Sequence, residues 1–251
     1  MKVIIIGAGR GNRIMPYSAT VPKSFTKVNG KSMLDRALEN FSANNLTDIH
    51  FIGGYLIDVV KKNYPHFTFY HNNEWPDNNI LESLFYAESA MEDGFISSYS
   101  DITFTPEIVK KVKESPHDIT LVMDTDWYNR YIPRTQHPMN DGEKMLVDGD
   151  KVVRVDRTIG NEEAHGEFIG IAKFSPKGAK LLKKHYYQAK KKFEGQPFRT
   201  APVFKKAYLI HLLQEMLEQG VKMHHVPTHG GYFEIDTVQD LELASKALKN
   251  K

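Results

Sequence analysis

The chain of 251 residues carries 33 Lys+Arg against 31 Asp+Glu, a net charge of +2, 41% hydrophobic residues and no cysteine. This is the make-up of one ordinary globular domain, expected over 1–251, with enough apolar residues for a large core. A near-neutral chain without a basic block gives no footprint for nucleic acid or an anionic membrane, and the missing cysteine excludes disulfides, thiolate metal sites and thiol nucleophiles, which suits a cytoplasmic protein.

The opening apolar run, 2–6, is too short for a signal or a membrane span and reads as a strand. Further buried strands are expected at 48–52, 68–71, 94–99 and 118–123. Helices are expected at 33–44, with Leu34, Ala37, Leu38 and Phe41 at helical spacing, and at 80–91, with Leu81, Leu84, Phe85 and Ala87. Alternating strands and helices predict βαβ units and a parallel sheet. After Asp124 the chain turns polar, then Asp148-Gly149-Asp150 between 144–147 and 151–155 signals a hairpin. A strand at 166–174, helices near 176–193 and 203–219, a strand near 221–226 and a helix near 238–249 follow. The predicted fold is a single doubly wound α/β domain: a mixed, Rossmann-like sheet with an insertion in its second half and a last helix packed back on the sheet. Free edge strands and late apolar helix faces leave room for a homodimer.

The first strand runs into Gly7-Ala8-Gly9-Arg10-Gly11-Asn12-Arg13, where a sharp turn at a strand's carboxyl end exposes backbone N–H groups to an anion. A plain turn needs neither three glycines nor two arginines. A dinucleotide loop needs glycine where Asn12 stands and an acidic residue after the second strand, where Gly53-Gly54 stands instead. A Walker loop ending at Gly30-Lys31-Ser32 would have to open with glycine at Phe25 and follow a strand.

The segment Ile6 to Arg13, followed by Pro16 and Pro22-Lys23, resembles the signature of the nucleotidyltransferases that join a nucleoside monophosphate to a sugar phosphate or phospho-alcohol. The chain is similar over its whole length to the small bacterial cytidylyltransferases that act on phosphocholine. The resemblance implies the nucleotide-diphospho-sugar transferase fold, with a nucleotide-binding half at 1–124 and an acceptor-binding half with the closing helix at 125–251. It implies CTP and a phosphate or phosphonate acceptor as small-molecule partners, an amino-acid phosphate such as phosphoglutamine or phosphocholine among them, and Mg2+ as cofactor. It assigns catalysis to Lys23 and Arg13, and nucleotide binding to Gly7, Ala8, Gly9, Arg10, Gly11 and Asn12. Gly54-Tyr55 and Asn78-Asn79 through Ser83 match further segments that face base and ribose. Asp101 and Asp236, with Glu234 on the same strand side, match the metal ligands. The products would feed cell-surface polysaccharide or phosphonate biosynthesis.

For the acceptor, Asp124, Trp127, Glu167 and Tyr208 offer carboxylates and aromatics suited to an ammonium. Arg130, Arg134, His137 and Arg157 fall in the same region, and arginine suits phosphonate or carboxylate oxygens, which tilts the expectation toward an acidic or zwitterionic acceptor. The rival readings are a UTP-dependent sugar-1-phosphate enzyme with the same loop, and a nucleotide-binding regulator without acceptor chemistry. His224, His225 and His229 read as structural, and the lysines of 177–192 as a solvated helix face.

Overall fold

The computed structural model describes residues 1–250. Its strands and helices in chain order begin with β1 (Lys2–Gly7), β2 (Lys27–Val28), β3 (Lys31–Ser32), α1 (Met33–Ser42), β4 (Ile49–Gly53), α2 (Ile57–Asn63), β5 (Thr68–His71) and α3 (Ile80–Phe85). Next come β6 (Phe95–Tyr99), β7 (Ile102–Thr103), α4 (Pro106–Glu114), β8 (Ile119–Asp124) and α5 (Trp127–Tyr131). The chain ends with β9 (Lys144–Asp148), β10 (Lys151–Val155), β11 (Gly166–Phe174), α6 (Pro176–Phe193), α7 (Leu209–Glu218), β12 (His224–Thr228), β13 (Phe233–Glu234) and α8 (Val238–Ala247).

A nine-stranded sheet in the order β5-β4-β1-β6-β11-β8-β12-β10-β9 forms the centre. Strands β5, β4, β1 and β6 are parallel, β11 runs antiparallel to both β6 and β8, and β12 is parallel to β8. Because side chains alternate along a strand, Val3 and Ile5 of β1 enter one cluster with α1, α2 and α4, while Ile4 and Ile6 enter another with α3, α6 and α7. Helices therefore cover both faces, and the continuous apolar run of β1 is explained. Each of these four side chains is almost wholly removed from water, worth about 1.5–3 kcal/mol apiece.

The hairpin β9–β10 is the insertion expected at Asp148-Gly149-Asp150. It joins the edge at β12, and β9 also pairs with the start of β11, so the insertion curls back over the sheet. Helix α8 departs from expectation. Its Leu241 and Ala244 pack with Ile14, Val28, Met33 and Ile235 in a separate cluster, so the last helix braces the loop after β1 rather than the sheet.

Other differences have local causes. Helix α3 stops at Phe85 instead of running to residue 91, giving way to a short 3-10 turn at Glu88–Ala90, and α7 begins at Leu209 because a 3-10 turn at Phe204–Lys206 precedes it. Helices α2 and α4 were not foreseen, although Pro106 in the first turn of α4 and Ile108, Val109 and Val112 facing the core are start and pattern signals. The Gly30-Lys31-Ser32 segment is a hairpin: Asn29 and Gly30 have φ of 51° and 83°, the two-residue turn that Asn-Gly favours. No described helix is long and apolar enough to cross a membrane.

Candidate active site

The carboxyl ends of β1 and β6 and the start of β11 open onto one cleft of about 420 Å3, the position where open α/β sheets take ligands. The glycine loop forms its floor. Gly11 sits at φ 69°, and a Cβ there would come within 2.9 Å of the Lys23 side chain, so glycine lets the lysine stem lie flat on the loop.

Lys23 is placed by a 3-10 turn, Lys23–Phe25, and is 91% buried, with 9% of its surface exposed. Its ammonium donates to Asp101 Oδ2 at 2.7 Å and to Asp236 Oδ1. Burial alone would lower the lysine pKa, but the two carboxylates outweigh it and leave the pKa above the ordinary value. Arg13 donates to the other Asp236 oxygen at 2.5 Å and to Asp141 at 3.1 Å. Burial opposes ionisation of Asp236 as well, and Lys23 and Arg13 reverse that and hold its pKa below the usual range.

Backbone pairing brings the two aspartates together across most of the chain. β7 pairs with β13 through Ile102 and Glu234, and the Ile235 N–H donates to the Asp101 carbonyl at 2.9 Å. The cap of α8 is Thr237, which accepts from Asp240 N while Asp240 accepts from Thr237 N. Asp236 is thus excused from capping and turns into the cleft.

The same end is rich in acid. Glu234 has its carboxyl pushed well above the usual value, by burial first and then by Asp236 and Glu167. Donor atoms of His137, Glu234 and Asp236 lie within 4.8 Å of one another. Hard carboxylate oxygens gathered beside a glycine-rich loop suit a divalent cation such as Mg2+.

On the side expected for the nucleotide, Asn78, Asn79 and Ser83 line the cleft with Trp75. Asn72 ties Asn78 and Ser83 together at 2.9 Å each, while Asn79 caps α3 by accepting from Ile80 N. Gly54 lies just behind the wall: a Cβ there would meet the Trp75 ring at 2.6 Å, so its role is to admit the indole. Arg10 and Tyr55 stand outside the lining, the guanidinium carbon 5.4 Å from the tyrosine ring centroid and the tyrosine hydroxyl donating to Ala19.

The expected acceptor residues divide. Glu167 and Tyr208 line the cleft; Asp124, Trp127, Arg130 and Arg134 do not. Asp124 is fully buried and bonded to Arg130, which also donates to Glu167 at 2.6 Å and stacks on Tyr232 at 4.5 Å. Arg134 is consumed by Asp240 at 2.8 Å and by His137 at 2.5 Å, and Trp127 is core. The arginine-based tilt toward an acidic acceptor therefore loses two of its cations to internal ion pairs. The remaining cation is Arg157, which lies 3.8 Å from the Tyr208 ring centroid and pairs with Glu143 at 3.3 Å. Glu143, Tyr99, Phe168 and Tyr232 complete this wall and, like Ser100 and Asp141 elsewhere in the cleft, were not anticipated. Burial raises the Glu143 pKa, with Arg157 opposing the rise.

No protein-family model matches the sequence. The chain is 25% identical to the CTP:phosphoglutamine cytidylyltransferase of Campylobacter jejuni, over 97% of this chain and 98% of that one. It is also 25% identical to the 2-aminoethylphosphonate cytidylyltransferase of Lancefieldella rimae, over 75% of this chain and 72% of that one. Among solved structures, the CTP:phosphocholine cytidylyltransferase of Streptococcus pneumoniae superposes with a TM-score of 0.72 at 21% identity, covering 98% of each chain. The chain is thus similar from end to end to a CTP-dependent nucleotidyltransferase and shares the fold of such enzymes.

Proposed function

We propose that the protein transfers CMP from CTP to a small acceptor bearing a phosphate or phosphonate, releasing pyrophosphate. The observation that carries this reading is Lys23, held over the glycine loop between Asp101 and Asp236, in a chain similar throughout to cytidylyltransferases. The loop N–H groups and Arg13 take the triphosphate oxygens. An acceptor oxygen forms the new bond to the α-phosphorus as the bond to pyrophosphate breaks on the far side. That oxygen is already anionic at neutral pH, so no general base is needed, and the protein contributes alignment and charge neutralisation. Mg2+, held by Asp101 and Asp236, supplies further charge neutralisation at the phosphates when bound. Lys23 must exchange one or both of its carboxylate partners for phosphate oxygen, which ties substrate entry to release of the aspartates.

Two carboxylates, Glu143 and Glu167, line the other end of the cleft beside Tyr99, Tyr208 and Tyr232, and Arg157 is the one arginine among them. That balance favours an acceptor carrying an ammonium group, as aminoethylphosphonate, phosphocholine and amino-acid phosphates do. Pyrophosphate release is the test, with Mg2+, each of four ribonucleoside triphosphates and a panel of those acceptors plus sugar 1-phosphates. CTP with an ammonium-bearing acceptor is expected to be fastest. Preference for UTP with a sugar 1-phosphate would overturn both the nucleotide and the acceptor assignment.

A further inference from the structure

At the edge of the sheet away from the cleft, a second group of side chains converges. Strand β8 reaches the cleft side at Asp124, opposite Glu167, so its other end, just after His117, faces away. β12 starts beside it, with His224 in register with Thr120, and Asp150 stands at the exposed turn of the β9–β10 hairpin. These three residues come from sequence-distant segments, yet their donor atoms all lie within 4.8 Å of one another. The two imidazoles are stacked at 3.5 Å with planes 7° apart, and Asp150 Oδ2 lies 3.4 Å from His117 Nε2.

We infer that His117, His224 and Asp150 form a binding site for one first-row divalent cation of the zinc type, separate from the catalytic cleft. Two ring nitrogens and one carboxylate make a borderline donor set that suits zinc, with a fourth position left for water, and that Mg2+ disfavours. Bonds of about 2.0–2.1 Å to a tetrahedral ion put its ligand atoms about 3.3 Å apart. Reaching that geometry asks the two partly exposed rings, parallel in this structure, to tilt out of their stack so that one nitrogen of each turns to a common ion, and asks the exposed Asp150 to follow. Nearby positive charge is partly answered within the same pocket, since Lys177 is paired with Asp118 at 2.9 Å.

The ion would fasten the inserted hairpin to the sheet. β10 and β12 are joined in register through a single pair, Lys151 with His224, and two flanking bonds, Val152 N to Met223 O at 3.0 Å and His225 N to Asp150 O at 2.9 Å. A ligand set spanning the hairpin turn, the β8 lead-in and β12 would lock that seam, raising stability by binding only the folded state.

The test is titration of the chelator-treated full-length chain with Zn2+ in saturating Mg2+, which occupies hard carboxylate sites, followed by calorimetry and melting temperature. Co2+ in place of Zn2+ reports coordination through its visible absorption. One equivalent of Zn2+ is expected to bind and raise the melting temperature, with Co2+ bands of nitrogen-containing, low-coordinate type. His117→Ala and Asp150→Asn are each expected to weaken that binding by about tenfold or more while leaving nucleotidyl transfer unchanged. Equal Zn2+ binding in wild type and both variants, or no saturable binding in wild type, would overturn the site. Should His224→Ala fail to fold, those two variants, at exposed or partly exposed positions, still decide the question.

Discussion

The two ends of the cleft solve the problem of buried charge differently. At the glycine-loop end, Lys23 and Arg13 are matched by Asp101, Asp236 and Asp141, so each cation already has a partner, which the proposed substrate and metal would have to displace. At the other end, Glu143 has Arg157 and Tyr99, and Glu167 has Arg130 and Tyr131, so the carboxylates are propped by groups built into the wall. The first arrangement is made for exchange. The second is made for fixed shape, and specificity belongs there because its polar groups cannot easily repair a wrong contact.

The largest test of that contrast is Lys23→Met. It should lower turnover about 10²–10³-fold and destabilise the substrate-free protein on the order of 3 kcal/mol, because two carboxylates lose their shared cation. Unaltered turnover would break the exchange model. Asp236→Asn should also reduce turnover severely and shift the Mg2+ requirement upward; a metal dependence identical to wild type would remove Asp236 from the ligand set. At the fixed end, Arg157→Leu should raise the acceptor KM by about tenfold and leave the CTP KM nearly unchanged. An equal rise in both would mean that the two ends are not separable.

An effect on stability alone concerns His211, which is buried, bonds Thr200, and accepts from the Tyr208 N–H to cap α7 beside the Tyr208 wall. Burial, aided by Arg157, depresses its pKa to about 4. Above the unfolded value near 6.5 the ring is neutral in both states. As pH falls from there toward about 4, the unfolded chain takes up the proton first, and stability on the order of 3 kcal/mol is lost. His211→Asn should flatten the melting temperature over that interval; an undiminished slope would assign it to other groups.

The same contrast explains what could be read from the sequence. The glycine loop, Lys23 and the parallel strands are written in neighbouring residues, where turn geometry and continuous apolar runs act locally. Arg130 and Arg134 could not be judged that way, because Glu167 and Asp240, 37 and 106 positions away, decide whether an arginine faces ligand or fold. The pair Glu143 and Arg157 was hidden by a bulge. The Asp148-Gly149-Asp150 turn sets Asp148 opposite Lys151 and Val147 opposite Val152, which extended would put Glu143 opposite Asp156; a register shift between Val152 and Arg154 brings Met145 opposite Val155 instead. Trp75, Tyr99 and Tyr232 left no trace, since aromatics look alike whether they line a cleft or fill a core.

The pairing of β7 with β13 has a consequence for the order in which the enzyme comes into being. Asp101 is synthesised well before Asp236, and the short backbone ladder between their neighbours brings them to one lysine. During translation the glycine loop and Lys23 exist for more than half the chain's synthesis without the second carboxylate. A nascent or truncated chain lacking residues beyond 232 would therefore miss both Asp236 and the helix that braces the loop after β1, leaving Lys23 with Asp101 as its one carboxylate partner.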